Sequence, residues 1–182
     1  MNNSIFRGIE IIFRPEFCIS CRSCEISCAV SKSKTRNLFT AIKENPSPLK
    51  RLTIGRSAED EMIHHLRCLH CKDAKCIRAC MFDAIFRDPE TLTIVVDESK
   101  CKACQLCVKA CDRGVLQIMK VKGKKPVVSK CNHCAEKDTG PECVRACPTN
   151  ALVLSLASNH LSNNTETGWR PVNMENFTVE SE

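Results

Sequence analysis

Apolar and polar positions alternate only over short stretches of this chain. Gly8 to Phe17 alternates loosely and stops at the first cysteine, which predicts an entering strand. The basic connection from Ser31 to Ile54 contains the turn signal Asn45-Pro46-Ser47-Pro48, with a short strand expected near Arg51 to Ile54. Ala58 to Glu61 reads as a solvated loop or a single turn of helix. Two hairpins follow. Ile85-Phe86-Arg87 and Thr91 to Val96 flank Asp88-Pro89-Glu90, and Val115 to Met119 and Pro126 to Val128 flank Lys122-Gly123-Lys124-Lys125. From Ser158 to Glu182 the chain is polar and lacks sustained periodicity, so this segment cannot build a core alone. It reads either as an extension wrapping its own domain or as an arm that docks a partner through Leu161, Trp169 or Phe177. No apolar run approaches the roughly 20 residues of a membrane span.

Composition changes this picture through one residue type: 16 of the 182 residues are cysteine. Met1 to Phe13 lacks the basic start, apolar core and small-residue cleavage site of a secretory leader, so the chain reads as soluble and cytoplasmic. In a reducing compartment, clustered cysteines are metal ligands more often than cross-links. The formal charge of +6 invites a nucleic-acid reading. That count treats cysteine as neutral, whereas a thiolate-bound [4Fe-4S]²⁺ core carries about −2, and four of them would bring the total to roughly −2. The basic residues are then compensation for cluster charge. With one Trp, no Tyr and no aromatic-rich basic stripe, no nucleic-acid partner is expected.

The cysteines fall into four groups of four. Cys101-x2-Cys104-x2-Cys107-x3-Cys111 and Cys18-x2-Cys21-x2-Cys24-x3-Cys28 are complete ligand runs of the bacterial ferredoxin type, in which three thiols wrap one cubane and the fourth leads away toward a second. Cys68-Leu69-His70-Cys71-x4-Cys76-x3-Cys80 has one gap longer by two. Cys131-Asn132-His133-Cys134-x8-Cys143-x3-Cys147 has a gap that contains the turn Asp138-Thr139-Gly140-Pro141. His70 and His133 are candidate ligands, but their groups already supply thiols, so packing or outer-shell roles are expected. Around Cys76 to Ile85, Cys107 to Leu116 and Cys143 to Leu152 the same sentence recurs. Each version has a cation (Arg78, Lys109, Arg145) two residues before the last cysteine and an apolar pair four to five residues after it, which is an internal repeat of a ferredoxin module.

Structural zinc would leave the third cysteine of each compact run hard to use, and the Cys-x3-Cys-x2-Cys order of radical chemistry is missing. No phosphate loop, nucleophile elbow or dinucleotide fingerprint occurs. Clusters fully ligated by cysteine offer no open iron to a substrate, so the expected role is electron transfer without catalysis. Lys100 and Lys102 beside the third group, and Lys72 and Lys75 inside the second, are expected to favour the reduced state modestly.

These residues resemble the four-cluster ferredoxin-like iron-sulfur subunits that serve carbon monoxide dehydrogenase, formate dehydrogenase, hydrogenase complexes and the dimethyl-sulfoxide-reductase group. The resemblance covers about residues 8–156 and is carried by the four-group order and by Gly140-Pro141-x-Cys143-Val144-x-Ala146-Cys147-Pro148-Thr149-x-Ala151-Leu152. Ala79-Cys80-Met81, Asp88-Pro89-Glu90-Thr91 and Val96-Asp97-Glu98-x-Lys100-Cys101 look most like the electron-transfer protein paired with carbon monoxide dehydrogenase. Ala29, Met81 and Asp112 depart from it, standing where proline is common.

The resemblance implies an α+β fold of two bacterial-ferredoxin-like modules, with short antiparallel strands and short helices around paired [4Fe-4S] clusters. Residues 1–66 and 121–157 would form the first module, 67–120 the second and 158–182 an extension. It also implies a crossed pairing. Cys18, Cys21 and Cys24 would be completed by Cys147, and Cys68, Cys71 and Cys76 by Cys111. Cys101, Cys104 and Cys107 would be completed by Cys80, and Cys131, Cys134 and Cys143 by Cys28. The implied function is a wire of four [4Fe-4S] clusters in a hetero-oligomer, between a carbon monoxide dehydrogenase-type catalytic partner and another redox enzyme. Formate dehydrogenase, hydrogenase or aldehyde oxidoreductase is the alternative partner, and a structural adaptor that assembles such complexes is the alternative role.

Overall fold

Strand β1 (Ile9–Phe13) buries Ile9 and Ile11 and exposes Glu10 between them, the period-two pattern of a half-buried strand. A computed structural model describes residues 8–57, 62–121, 123–137, 139–156 and 177–178. In it β1 pairs antiparallel with β8 (Leu152–Leu156), with Ile11 opposite Leu154, so the first group of cysteines is tied to the segment that follows the last. A 3-10 turn at Pro15–Phe17 leads into the first cysteine loop, and helix α1 (Ser23–Ser31) carries Cys24 and Cys28 one turn apart. A short α2 (Leu38–Ala41) is capped by Asn37, whose Oδ1 accepts the amide of Phe39 at 3.0 Å.

The strand expected near Arg51 is β2 (Leu52–Ser57), which pairs with β3 (Ile63–Arg67) on one edge and with β9 (Phe177–Thr178) on the other. Residues 58–61 lie outside the described residues, as does the rest of the C-terminal segment except 177–178. Both expected hairpins form. β4 (Ile85–Arg87) pairs with β5 (Ile94–Val96), and β6 (Gln117–Met119) with β7 (Val127–Ser129). β5 starts at Ile94 rather than Thr91, because Asp88 Oδ1 captures the amides of Glu90 and Thr91 in a turn and Leu92 sits at φ 60°. Short helices α3 (Lys75–Arg78), α4 (Leu106–Lys109) and α5 (Glu142–Arg145) each carry the third cysteine of a group.

The repeat in the sequence is a repeat of backbone. Three residues after the last cysteine of groups two, three and four stand Asp83, Gly114 and Asn150, at φ 49°, 61° and 55°. Those residue types accept left-handed backbone at the least cost, and there the chain leaves the helix for a strand. In group one the equivalent position is Ser31, still helical, and α1 is accordingly the long helix.

Two buried cores result. Ile11, Cys24, Cys28, Leu52, Ile54, Cys143 and Leu152 form one, with α1 packed on α5. Ala84, Ile85, Ile94, Leu116, Val127 and Val128 surround Cys76, Cys101 and Cys107 in the other, with α3 packed on α4. The boundary expected between 120 and 121 falls inside the β6–β7 hairpin. Val127 and Val128 of β7 belong to the same buried cluster as Ile85 and Ile94, while Ser129 of β7 accepts from Arg51 Nε at 3.1 Å.

Candidate metal centres

Each Cys-x2-Cys loop reverses at the residue before its second cysteine. Ser20, His70, Ala103 and His133 lie at φ 56°, 52°, 50° and 53°. Left-handed backbone costs a non-glycine residue roughly 1–2 kcal/mol. Four recurrences at one position mark a device: such a residue turns successive amides toward one side, the concave nest that binds anions. Amides do reach sulfur here. His133 N–H donates to Cys131 Sγ at 3.4 Å and Arg51 N–H to Cys28 Sγ at 3.3 Å.

All sixteen cysteines are free thiols, and the fold collects them from separate runs. Cys18, Cys21 and Cys24 line one cavity with Cys147, together with Phe13, Ile54 and Leu152. Cys71 and Cys76 interact with Cys68 and Cys111. Cys107 interacts with Cys80, Cys104 and Cys101. Cys143 interacts with Cys131, Cys28 and Cys134. Cys21, Cys71 and Cys104 are exposed members of the first three of these quartets, whereas Cys28, Cys134 and Cys143 are buried and Cys131 partly so.

Burial pushes these thiols up, Cys24 to about 12 and Cys28 and Cys107 to about 11, with Cys143 raised as well. Cys147 goes the other way: its burial raises it, but hydrogen bonds from the Leu152 and Thr149 backbone and the Thr149 hydroxyl outweigh this. Buried thiols so raised would be protonated near neutrality. As thiolates they need a bound cation, and a quartet of thiols is the donor set of an iron-sulfur cluster.

The counter-charges are also present. Arg67, at the end of β3, and Lys130, just after β7, are only 5 % and 3 % exposed. Among the described residues neither forms an ion pair with a carboxylate. Burial lowers the pKa of both, and the groups that chiefly oppose this are thiols: Cys131, Cys143 and Cys68 for Arg67, and Cys68, Cys131 and Cys76 for Lys130. An unpaired buried cation is costly. Anionic clusters held by these thiols would supply the missing partners, so the residues fit the group.

Other basic residues are less intimate. Lys75 pairs with Asp112 at 2.9 Å and Lys100 with Asp97 at 3.9 Å, both at the surface, and Lys72 and Lys102 are exposed. The repeated cations Arg78 and Arg145 pair with Asp73 and Glu142 and face solvent. Sequence reasoning therefore named the accessible lysines and missed the buried pair. The available signal was position, because Arg67 and Lys130 immediately precede the first cysteine of groups two and four.

His70 Nδ1 accepts the Ile94 amide at 2.8 Å, and the His70 ring meets the His133 ring at 61° with centroids 4.0 Å apart. Donor atoms of His70, His133 and Cys131 lie within 4.8 Å of one another. The Ile94 bond occupies His70 Nδ1, whereas His70 Nε2 and both nitrogens of His133 are buried without a hydrogen-bond partner. Their pKa values are depressed by burial, that of His133 to about 3.

Short antiparallel strand pairs and short helices around collected thiols define a ferredoxin-like iron-sulfur protein. The chain belongs to the 4Fe-4S dicluster domain family, which matches residues 60–156. It is 36 % identical over 136 residues to YsaA of Escherichia coli (strain K12), covering 74 % of this chain and 82 % of that one. It is 29 % identical over 148 residues to the electron transport protein HydN of the same strain, covering 75 % and 81 %. Thiosulfate reductase electron transfer subunit PhsB of Salmonella typhi is 31 % identical over 147 residues, covering 74 % and 69 %. No helix among the described residues is long and apolar enough to cross a membrane.

Proposed function

We propose that this chain is a non-catalytic electron-transfer subunit that carries four [4Fe-4S] clusters, one in each thiol quartet, within two ferredoxin-like modules. The observation that carries the reading is sixteen free thiols, four to each run of the sequence, with thiols of different runs brought near one another, Cys147 to the first run and Cys111 to the second among them. The names of HydN and PhsB, an electron transport protein and an electron transfer subunit, support the same role.

On this reading Cys18, Cys21, Cys24 and Cys147 hold one cluster, and Cys68, Cys71, Cys76 and Cys111 a second. Cys101, Cys104, Cys107 and Cys80 hold a third, and Cys131, Cys134, Cys143 and Cys28 a fourth. A bound [4Fe-4S] cluster supplies a reversible one-electron couple. The chain's own residues exclude water from the thiolates, aim amides at sulfur and balance the buried charge. Exposed Cys21, Cys71 and Cys104 mark the edges nearest to partners. The first module is drawn from β1, α1, β2, α5 and β8, and the second runs to the end of β7.

The partner we propose is a carbon monoxide dehydrogenase-type catalytic subunit, on the resemblance between Ala79 and Cys101. A formate dehydrogenase, hydrogenase or aldehyde oxidoreductase is the second reading, and the reductase named for PhsB favours that broader class. Iron and sulfide analysis of the anaerobically purified chain, followed by potentiometric titration, tests the core of the proposal. About sixteen irons per chain and reducible cubane signals are expected. Zinc in their place, or redox-silent clusters as in a structural adaptor, would overturn it.

A further inference from the structure

Groups two and four open with the same five-residue sentence, a cation, Cys, any residue, His and Cys: Arg67-Cys68-Leu69-His70-Cys71 and Lys130-Cys131-Asn132-His133-Cys134. The fold sets the two loops against each other, His70 edge-on to His133. One buried cation opens each of these loops. Both side chains are buried, Arg67 at 5 % and Lys130 at 3 % exposure, and the thiols that offset the burial of each come from both groups: Cys68, Cys131 and Cys76 for Lys130, and Cys131, Cys143 and Cys68 for Arg67. Neither side chain is free to swing away. Lys130 Nζ donates to the carbonyls of Ile94 and Cys131, and the Arg67 guanidinium donates to those of Ile11 and Cys68.

We propose that Arg67 and Lys130 are a buried pair of positioning residues that set, together, the potentials of the two clusters held by Cys68, Cys71, Cys76, Cys111 and by Cys131, Cys134, Cys143, Cys28. The inference rests on the four-cluster reading above. Reduction places one electron from the redox partner on a cubane, [4Fe-4S]²⁺ becoming [4Fe-4S]⁺. No bond forms or breaks, and both cations keep their protons. The added negative charge is stabilised by a fixed cation in a low-dielectric interior far more than by a solvated, screened lysine. Because each cation interacts with thiols of both quartets, it raises both potentials at once.

The test is an anaerobic potentiometric titration of the full, cluster-loaded chain, followed by paramagnetic resonance, with the signals assigned through Cys71→Ser and Cys134→Ser. In Lys130→Met, two midpoint potentials are expected to move negative together while those of the quartets containing Cys18 and Cys101 hold. Arg67→Met should do the same, and Lys130→Arg should leave all four in place. Four unmoved midpoints in a fully loaded Lys130→Met chain would overturn the proposal, as would an equal shift of all four or a Lys130→Arg shift as large as that of Lys130→Met. If the methionine variants do not retain iron, Lys130→Gln keeps a donor toward the Ile94 and Cys131 carbonyls and removes only the charge, and unshifted midpoints there overturn the proposal equally. A wild-type chain without reducible cubanes would instead sink the four-cluster reading itself.

Discussion

The imidazole Nδ1 of His70 accepts the backbone N–H of Ile94 at 2.8 Å, which ties the second cysteine loop to the start of β5. Ile94 is among the most buried side chains, at 1 % exposure. In His70→Ala that amide loses its acceptor, at a cost of about 1–3 kcal/mol. For a chain of this size each kcal/mol lowers Tm by about 2–4 °C. His70→Asn, which retains an acceptor, should lose less. Thermal unfolding of the loaded protein measures both, and the iron content should stay at the wild-type value because no thiol is touched.

Cys111 interacts with Cys71 and Cys76, whereas Cys80 is the thiol nearest in influence to Cys107. Cys111→Ser should therefore damage the cluster of Cys68, Cys71 and Cys76 first. The expected outcome is iron falling from about sixteen toward about twelve per chain, with the signal of the Cys101 quartet retained. Loss of the Cys101 signal instead would put Cys111 in its own run's cluster.

Lys102 is exposed beside Cys101, and its charge acts through solvent. Lys102→Glu should move one midpoint negative, by less than Lys130→Met moves either of its two, and the shift should shrink as salt is added. Titrations at low and high ionic strength would show this. A salt-independent shift would mean that the lysine is closer to the cluster than its exposure implies.

Glu25 is buried on α1, where Oε1 accepts the Ile54 amide at 2.6 Å and Oε2 the Lys50 ammonium at 2.5 Å. It holds α1 onto β2, the packing that keeps Cys24 and Cys28 in one core. Glu25→Ala leaves a buried amide unsatisfied and should cost about 1–3 kcal/mol. Chemical unfolding should show a lower midpoint, and loss of iron on dilution should begin at the quartets containing Cys24 and Cys28.

Glu44 accepts the Thr35 amide at 2.9 Å and the Lys34 amide at 3.1 Å, and these bonds hold its carboxyl below the usual value of 4.5. The folded value is the lower one, so the contribution is fully present above 4.5 and is lost as pH falls from there through the lower, folded value. Amide exchange at Lys34 and Thr35 should quicken on acidification through that window. In Glu44→Gln the exchange should lack this step beyond the ordinary pH dependence.

The cysteine spacing, the two hairpins and the repeat after each group were legible in the residues alone, because they depend on neighbours within about a dozen positions. Left-handed Asp83, Gly114 and Asn150 fall at one place in three repeats, and that regularity is visible as soon as the repeats are aligned. The extent of the second core was not legible. Nothing local in Pro126-Val127-Val128 says which core the strand will join, and only the pairing with β6 carries it to Ile85 and Ile94.

Sixteen thiols in four runs, legible in the residues alone, leave few cofactors that can use them all. Tertiary structure decided which charges matter. From the residues, Lys72, Lys75, Lys100 and Lys102 stood out because they lie close to cysteines along the chain, yet exposure and surface carboxylates screen them. Arg67 and Lys130 also directly precede cysteines, as Lys100 does, and nothing local marks these two as buried and Lys100 as exposed. The fold sets the second and fourth loops face to face and buries both cations, and burial strengthens a charge where solvent would weaken it.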